Sequence, residues 1–227
     1  MATRVQPRQL ALMLPHAESF ARDDFLAGPG NGAALALIDA WPDWPNPIVM
    51  LVGEAGAGKS HLASIWAGRS GARAVAARSL SIAHVPDALA TGALVVEDID
   101  PTTIDQPALF HLLNLAREQL ADVLLTARTM PASWTLEVKD LASRLRAVPV
   151  VQLEAPDDQL LRALIVKFCA DRQMVVDESV VSYLLTQIER SFSAARRAVE
   201  ALDAEALRRG RPITRALAAE ALRDEQD

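Results

Sequence analysis

Residues Gly53 to Ser60 read Gly-Glu-Ala-Gly-Ala-Gly-Lys-Ser and follow directly on the apolar run Ile48-Val49-Met50-Leu51-Val52. An unbroken apolar run of this length predicts a strand buried on both faces. Leu62, Ile65 and Trp66, at helical spacing after the glycines, predict a helix. Strand, glycine turn and helix start together aim several backbone N–H groups at one point, where the helix dipole also favours an anion. Gly53, Gly56 and Gly58 lack side chains that would hold a ligand away. Lys59 can reach the β- and γ-phosphates of a nucleotide, and Ser60 can ligate Mg²⁺. Glu54, Ala55, Ala57 and His61 complete the segment expected to surround nucleotide.

The rest of the chain fits a strand–helix alternation. Apolar strands are predicted at Ile48 to Val52, Ala74 to Ala76, Ala93 to Val96, Val123 to Thr126 and Val148 to Leu153, with helices between most of them. That pattern predicts an α/β fold with a parallel sheet sandwiched by helices. Upstream, Asn31 is expected to cap a helix reaching Ala40. The proline-rich turn from Trp41 to Pro47 is expected to lay its two tryptophans over a core edge. After Ala155-Pro156 the strand signal ends. Asp157 can cap a helix to about Arg172, and further helices are expected from Glu178 to Glu189, Ala194 to Arg209 (closed by Gly210) and Arg215 to Arg223. The expected organisation is an extended tail over 1–20, a nucleotide-binding αβα domain over 21–154 and a small all-helical domain over 155–227. Arg196, Arg197, Arg208, Arg209, Arg211 and Arg215 read as solvated helix faces.

Composition narrows the class. At 227 residues and 51% hydrophobic, the chain can bury a substantial core, and its net charge of -6 argues against coating nucleic acid through an overall field. Its one cysteine, Cys169, leaves no intramolecular disulfide and no cysteine-rich zinc site, which fits a reducing compartment such as the cytoplasm. The N-terminal apolar stretch Leu10 to Leu14 is too short for a membrane span or a signal core.

Two further places can carry chemistry. Ala93-Leu94-Val95-Val96 delivers Glu97 and Asp98 at the carboxyl edge of a strand, where open parallel sheets place ligands. One carboxylate can hold a metal and the other can orient the attacking water, with Ser60 and Asp98 as the expected metal partners. Thr126 ends another strand, so its hydroxyl is expected beside the terminal phosphate. In Asp140-Leu-Ala-Ser-Arg144-Leu-Arg146, arginines end a predicted helix, where they can stabilise phosphoryl-transfer charge in this subunit or a neighbour.

The order of motifs (phosphate loop, carboxylate strand, strand ending in threonine, D-L-A-S-R-L, helical lid) resembles the AAA+ ATPases of the replication initiator DnaA group. Within it, Gly58-Lys59-Ser60-His61-Leu62 and Asp140 to Leu145 are most similar to the Hda-type regulators that switch the initiator off. The similarity runs from about residue 18 to 224. It implies a P-loop AAA+ core with a helical lid, ADP or ATP with Mg²⁺ as ligands, and Arg144 as an arginine finger acting on nucleotide held by a partner. It also implies Phe25 and Leu26 at the adenine, and DnaA and the DNA polymerase III sliding clamp (β subunit) as partners. The tail Gln9-Leu10-Ala11-Leu12-Met13-Leu14 resembles the glutamine-led motif that docks on that clamp: Gln9 hydrogen-bonds while Leu10, Leu12, Met13 and Leu14 supply an apolar anchor. The chain's end soon after the lid implies no origin-reading, sequence-specific DNA-binding domain.

The departures point the same way. The family's first Walker B carboxylate is usually aspartate, and here it is Glu97. Its sensor after the third core strand matches Thr126-Ala127-Arg128. Its nucleotide-touching lid arginine aligns with Ser193, with Arg196 or Arg197 one turn later as substitutes. The expected function is a regulator of replication initiation that binds adenine nucleotide and clamp and promotes hydrolysis of DnaA-bound ATP, rather than an efficient ATPase. The alternatives are an autonomous or helicase-loader-like AAA+ ATPase, a P-loop kinase and a DNA-binding adaptor. A homo-oligomer is compatible with any of them.

Overall fold

The computed structural model describes residues 21–224; the Gln9 to Leu14 segment lies outside them. After a single 3-10 turn, Arg22–Asp24, come α1 (Gly32–Asp39), β1 (Ile48–Val52), α2 (Lys59–Ser70), β2 (Arg73–Ala76), the short α3 (Val85–Ala88) and β3 (Ala93–Ile99). The chain continues through α4 (Gln106–Gln119), β4 (Asp122–Ala127), α5 (Lys139–Arg146) and β5 (Val150–Gln152). Four helices follow: α6 (Asp158–Asp171), α7 (Glu178–Gln187), α8 (Phe192–Arg209) and α9 (Arg215–Asp224).

All five strands are parallel, in the order β2-β3-β4-β1-β5. β1 pairs with β4 from Ile48↔Val123 to Val52↔Ala127 and with β5 from Met50↔Val150 to Val52↔Gln152. Every residue of β1 is buried because alternate side chains enter different layers. Ile48, Met50 and Val52 join the core under α4 and α5, while Val49 and Leu51 join the one under α1 and α2. The expected α/β sandwich is present. A third apolar cluster is built by α6 to α9, where Leu161, Ile165, Leu184, Val199 and Ala218 are fully or almost fully buried.

Local chemistry sets the helix ends. The carboxylates of Asp105 and Asp157 accept from the Ala108 and Leu160 N–H groups, capping α4 and α6. Ser191 accepts from Ala194 N–H, so α8 starts two residues earlier than the sequence pattern suggested. Gly210, with φ of 59°, ends α8. Asn31 departs from expectation: it precedes α1 but does not cap it. Its Oδ1 accepts from Gly28 N–H at 2.7 Å and its Nδ2 donates to Leu26 O at 3.1 Å, so the buried amide organises the preceding loop instead.

Trp44 stacks on Trp66 at 4.9 Å between centroids and Trp41 meets it edge-on at 6.4 Å, covering the edge of the α1–α2 core as expected. The lid arginines are more engaged than simple solvated faces. Arg208 and Arg209 pair with Glu205, Arg209 also reaches Glu220, and Arg215 lies over the Tyr183 ring. Among the described residues no helix is long and apolar enough to cross a membrane.

Candidate nucleotide site

The glycine loop begins where β1 ends. Gly53 N–H donates to Ala127 O at 3.1 Å, tying the loop to the end of β4, and a Cβ at Gly53 would stand 2.7 Å from Leu153 O. Gly56 and Gly58 take φ of 75° and 97°, which turns the chain into α2 at low steric cost. Lys59 is buried, and its Nζ donates to Gly53 O (2.7 Å) and Glu54 O (2.9 Å). Burial lowers its pKa, Arg128 adds to the effect, and Asp98 opposes it. The ammonium is thus confined inside the loop it would share with a phosphate.

The two β3 carboxylates differ. Glu97 is half-buried and hydrogen-bonded to the Ser60 hydroxyl. Burial and the neighbouring Asp98 push its pKa up, against Ser60 and Lys59. Ser60 and Asp98, the expected metal pair, both line the cavity, whereas Glu97 does not. Asp98 sits at an irregularity of β3 with φ of 56°, and its N–H donates to Thr126 Oγ1 at 2.9 Å. Thr126 is buried and does not line the cavity, so its hydroxyl holds Asp98 in place rather than standing beside a phosphate. Arg128, two residues on, is the group that reaches the cavity. Among the described residues no cluster of three or more His, Cys, Asp or Glu could hold a metal alone. A hydroxyl beside a carboxylate nevertheless fits Mg²⁺, which takes few protein oxygens and draws its other ligands from water and phosphate.

A cavity of about 530 Å³ opens over the loop. Lys59, Ser60, Asp98 and Arg128 line it together with Phe25, Leu26, Leu164, Phe168 and Phe192. Phe25 stacks with Phe192 at 6.3 Å and meets His61 edge-on at 5.2 Å. Burial pushes the His61 pKa down, which keeps the ring neutral near pH 7. Lys167 from α6 closes one side by pairing with Asp24 at 2.7 Å and Asp171 at 2.8 Å. The size, the aromatic side chains and the cationic groups of the lining suit a purine nucleotide.

The start of α8 sits directly on the loop. Phe192 N–H donates to Gly56 O at 2.9 Å, and a Cβ at Gly56 would lie 2.4 Å from Ser193 Oγ. Ser193 lines the cavity where the resemblance led us to expect an arginine, and Arg196 and Arg197 line it one turn later. Arg196 lies over the Phe168 ring at 5.5 Å.

The cavity thus gathers Phe25, Leu26, Ala55, Gly56, Gly58, Lys59, Ser60, His61, Asp98 and Arg196 from the residues singled out in the sequence. Gly53, Glu54 and Ala57 shape the loop from outside the cavity. Arg144 is elsewhere, in a groove of about 360 Å³ with Phe110, Arg117 and Asp140. Lys167, Phe168, Arg172 and Phe192 were missed. Nothing in the local sequence around these four residues signals a ligand.

No protein-family profile matches the chain. It is 26% identical to the chromosomal replication initiator protein DnaA of Thermomicrobium roseum over 89% of its own length and 49% of the relative's. The chain spans about half the length of the curated relatives it matches. Its fold is similar to domain III of Thermotoga maritima DnaA, with a TM-score of 0.74 and 19% identity over 90% of this chain and 96% of that one. It is also similar to AMPPCP-bound DnaA from Aquifex aeolicus, with a TM-score of 0.68 and 18% identity over 92% of this chain and 70% of that one. The Thermotoga maritima RuvB Holliday junction branch migration motor shares the fold, with a TM-score of 0.73 and 15% identity over 90% and 72% of the two chains. The chain therefore has the fold of DnaA domain III.

Two outcomes follow from this geometry. The folded protein holds the Glu97 proton more tightly than the unfolded chain, so this group's contribution to stability is full below the ordinary carboxylate pKa and is lost as pH rises through the raised value. Glu97→Gln should therefore gain thermal stability relative to the parent as pH rises above the ordinary carboxylate range; an equal gap at all pH values would contradict the assignment. Gly56→Ala adds a methyl group against Ser193 at a positive φ, and should weaken ADP binding by ~10-fold or more, about 1.4 kcal/mol. Calorimetric titration checks this, and unchanged affinity would rule out the site.

Proposed function

We propose that this DnaA-like AAA+ domain regulates replication initiation by stimulating hydrolysis of ATP held on DnaA. Residues 21–154 form its nucleotide-binding domain and residues 155–227 its helical lid, with ADP as the resident nucleotide and the cytoplasm as its location. The observation that carries this reading is the separation of Arg144 from the chain's own cavity: a guanidinium in an open groove, on a different helix, is available to a nucleotide held by another molecule.

The roles follow from charge. The phosphate loop would cradle the α- and β-phosphates of the resident nucleotide, with Lys59 as the cation and the Phe25–Phe192 stack beside the base. Ser60 and Asp98 would hold Mg²⁺, which would supply positive charge to the phosphates when bound. Ser193 carries no cation at the position where the resemblance implies an arginine, which supports a holding role over turnover. On DnaA, water attacks the γ-phosphorus, the bond to the β–γ bridging oxygen breaks, and phosphate leaves with ADP retained. Arg144 takes no part in the bond changes; it lowers the energy of the negative charge spread over the transferring group.

A second reading, an autonomous AAA+ ATPase, draws on Asp98 and Arg128 in the cavity lining. Turnover by the purified chain at a rate matching that of the DnaA mixture would favour it.

Arg144→Ala should keep ADP affinity and lose ~10³-fold or more of the stimulated DnaA-ATP hydrolysis measured with DNA-loaded clamp. Full stimulation by this variant would refute the reading. For clamp docking, replacing both Gln9 and Leu12 by alanine should weaken binding to the β subunit at least ~10-fold with an unchanged melting temperature. Equal affinity in a surface-binding assay would remove the tail from the account.

A further inference from the structure

The groove holding Arg144 contains a second arginine. Arg117 ends α4 and Arg144 ends α5, and the two helices pack through Leu113, Ala116, Leu141 and Leu145, all buried. Their starts are tied as well, since Gln106 Oε1 accepts from the N–H groups of Glu137 and Val138 at 2.9 and 3.3 Å. Both guanidiniums are half-buried, and they share the groove of about 360 Å³ with Phe110 and Asp140.

This is an unfavourable arrangement for the isolated chain. Burial and the nearby Arg144 both disfavour the charged form of Arg117, yet a guanidinium does not give up its proton at physiological pH. Asp140, on the rim, forms no ion pair with either. Among the described residues neither arginine has a hydrogen-bond or ion-pair partner, although most other lid and core arginines do. Two fork-shaped cations held side by side on a braced helix pair match one oxyanion with several acceptor oxygens.

We propose that Arg117 and Arg144 form a single two-arginine seat for a phosphoryl oxyanion presented by a partner protein, namely the terminal phosphate of the nucleotide on DnaA. The inference rests on the functional reading above and adds Arg117 to it. A nucleic-acid backbone fits the groove less well. Such a ligand needs many phosphates matched along a track, whereas this seat is compact, bears two cations beside an aromatic ring, and belongs to a chain of net charge -6. Arg117 would share the developing charge with Arg144 and fix the phosphoryl group's orientation.

The test compares the full chain with Arg117→Gln and Arg117→Lys, at saturating concentrations on DNA-loaded clamp with DnaA-ATP. Arg117→Gln should reduce the maximal stimulated rate by ~10²-fold, leave ADP affinity and melting temperature unchanged, and be partly rescued by Arg117→Lys. Wild-type stimulation that Arg117→Gln retains in full overturns the two-arginine seat alone. Loss of DNA affinity in Arg117→Gln with stimulation intact reassigns the seat to nucleic acid and likewise overturns it. A wild-type chain that stimulates nothing overturns the functional reading, and this inference with it.

Discussion

The site hangs from β1. Because this strand is buried on both faces and paired on both edges, its carboxyl end is fixed against β4 and β5 at once, and the Gly53 N–H to Ala127 O bond carries that fixity into the loop. The loop therefore needs no side-chain contacts of its own to be positioned. Its glycines are free to serve close approach, and Lys59 can be buried against loop carbonyls. A looser first strand would leave the same eight residues as an ordinary flexible turn.

A second constraint acts from the lid. The start of α8 bonds to Gly56, while Lys167 on α6 bonds to Asp24 in the segment before α1. The cavity is thereby enclosed by four stretches of chain, around Asp24, Gly56, Lys167 and Phe192. A change in the loop at Gly56 would push on Ser191, Phe192 and Ser193, so loop shape and lid position are mechanically linked. Arg144 and Arg117 lie on α5 and α4, outside this enclosure.

The legible parts of the sequence were those set by local pattern. The five strands, the capped starts of α6 and the αL glycine at Gly210 follow from hydrophobic period and backbone preference, and the phosphate loop follows from glycine spacing. Side-chain direction was not legible. Nothing local tells that Thr126 turns to the Asp98 backbone, or that Asn31 braces the Gly28 loop instead of capping a helix. Each depends on which neighbour packing brings within about 3 Å, a distance set by the relative placement of elements.

What the sequence determined by itself is the layered α/β core with its loop, since strand burial and glycine geometry are properties of short segments. The tertiary structure alone decided the rest: an aromatic stack made from Phe25 and Phe192, a lysine on α6 closing the mouth, and a pair of like charges in one groove. Those arrangements join residues dozens of positions apart, and only the packing of helices against the sheet fixes which of them meet.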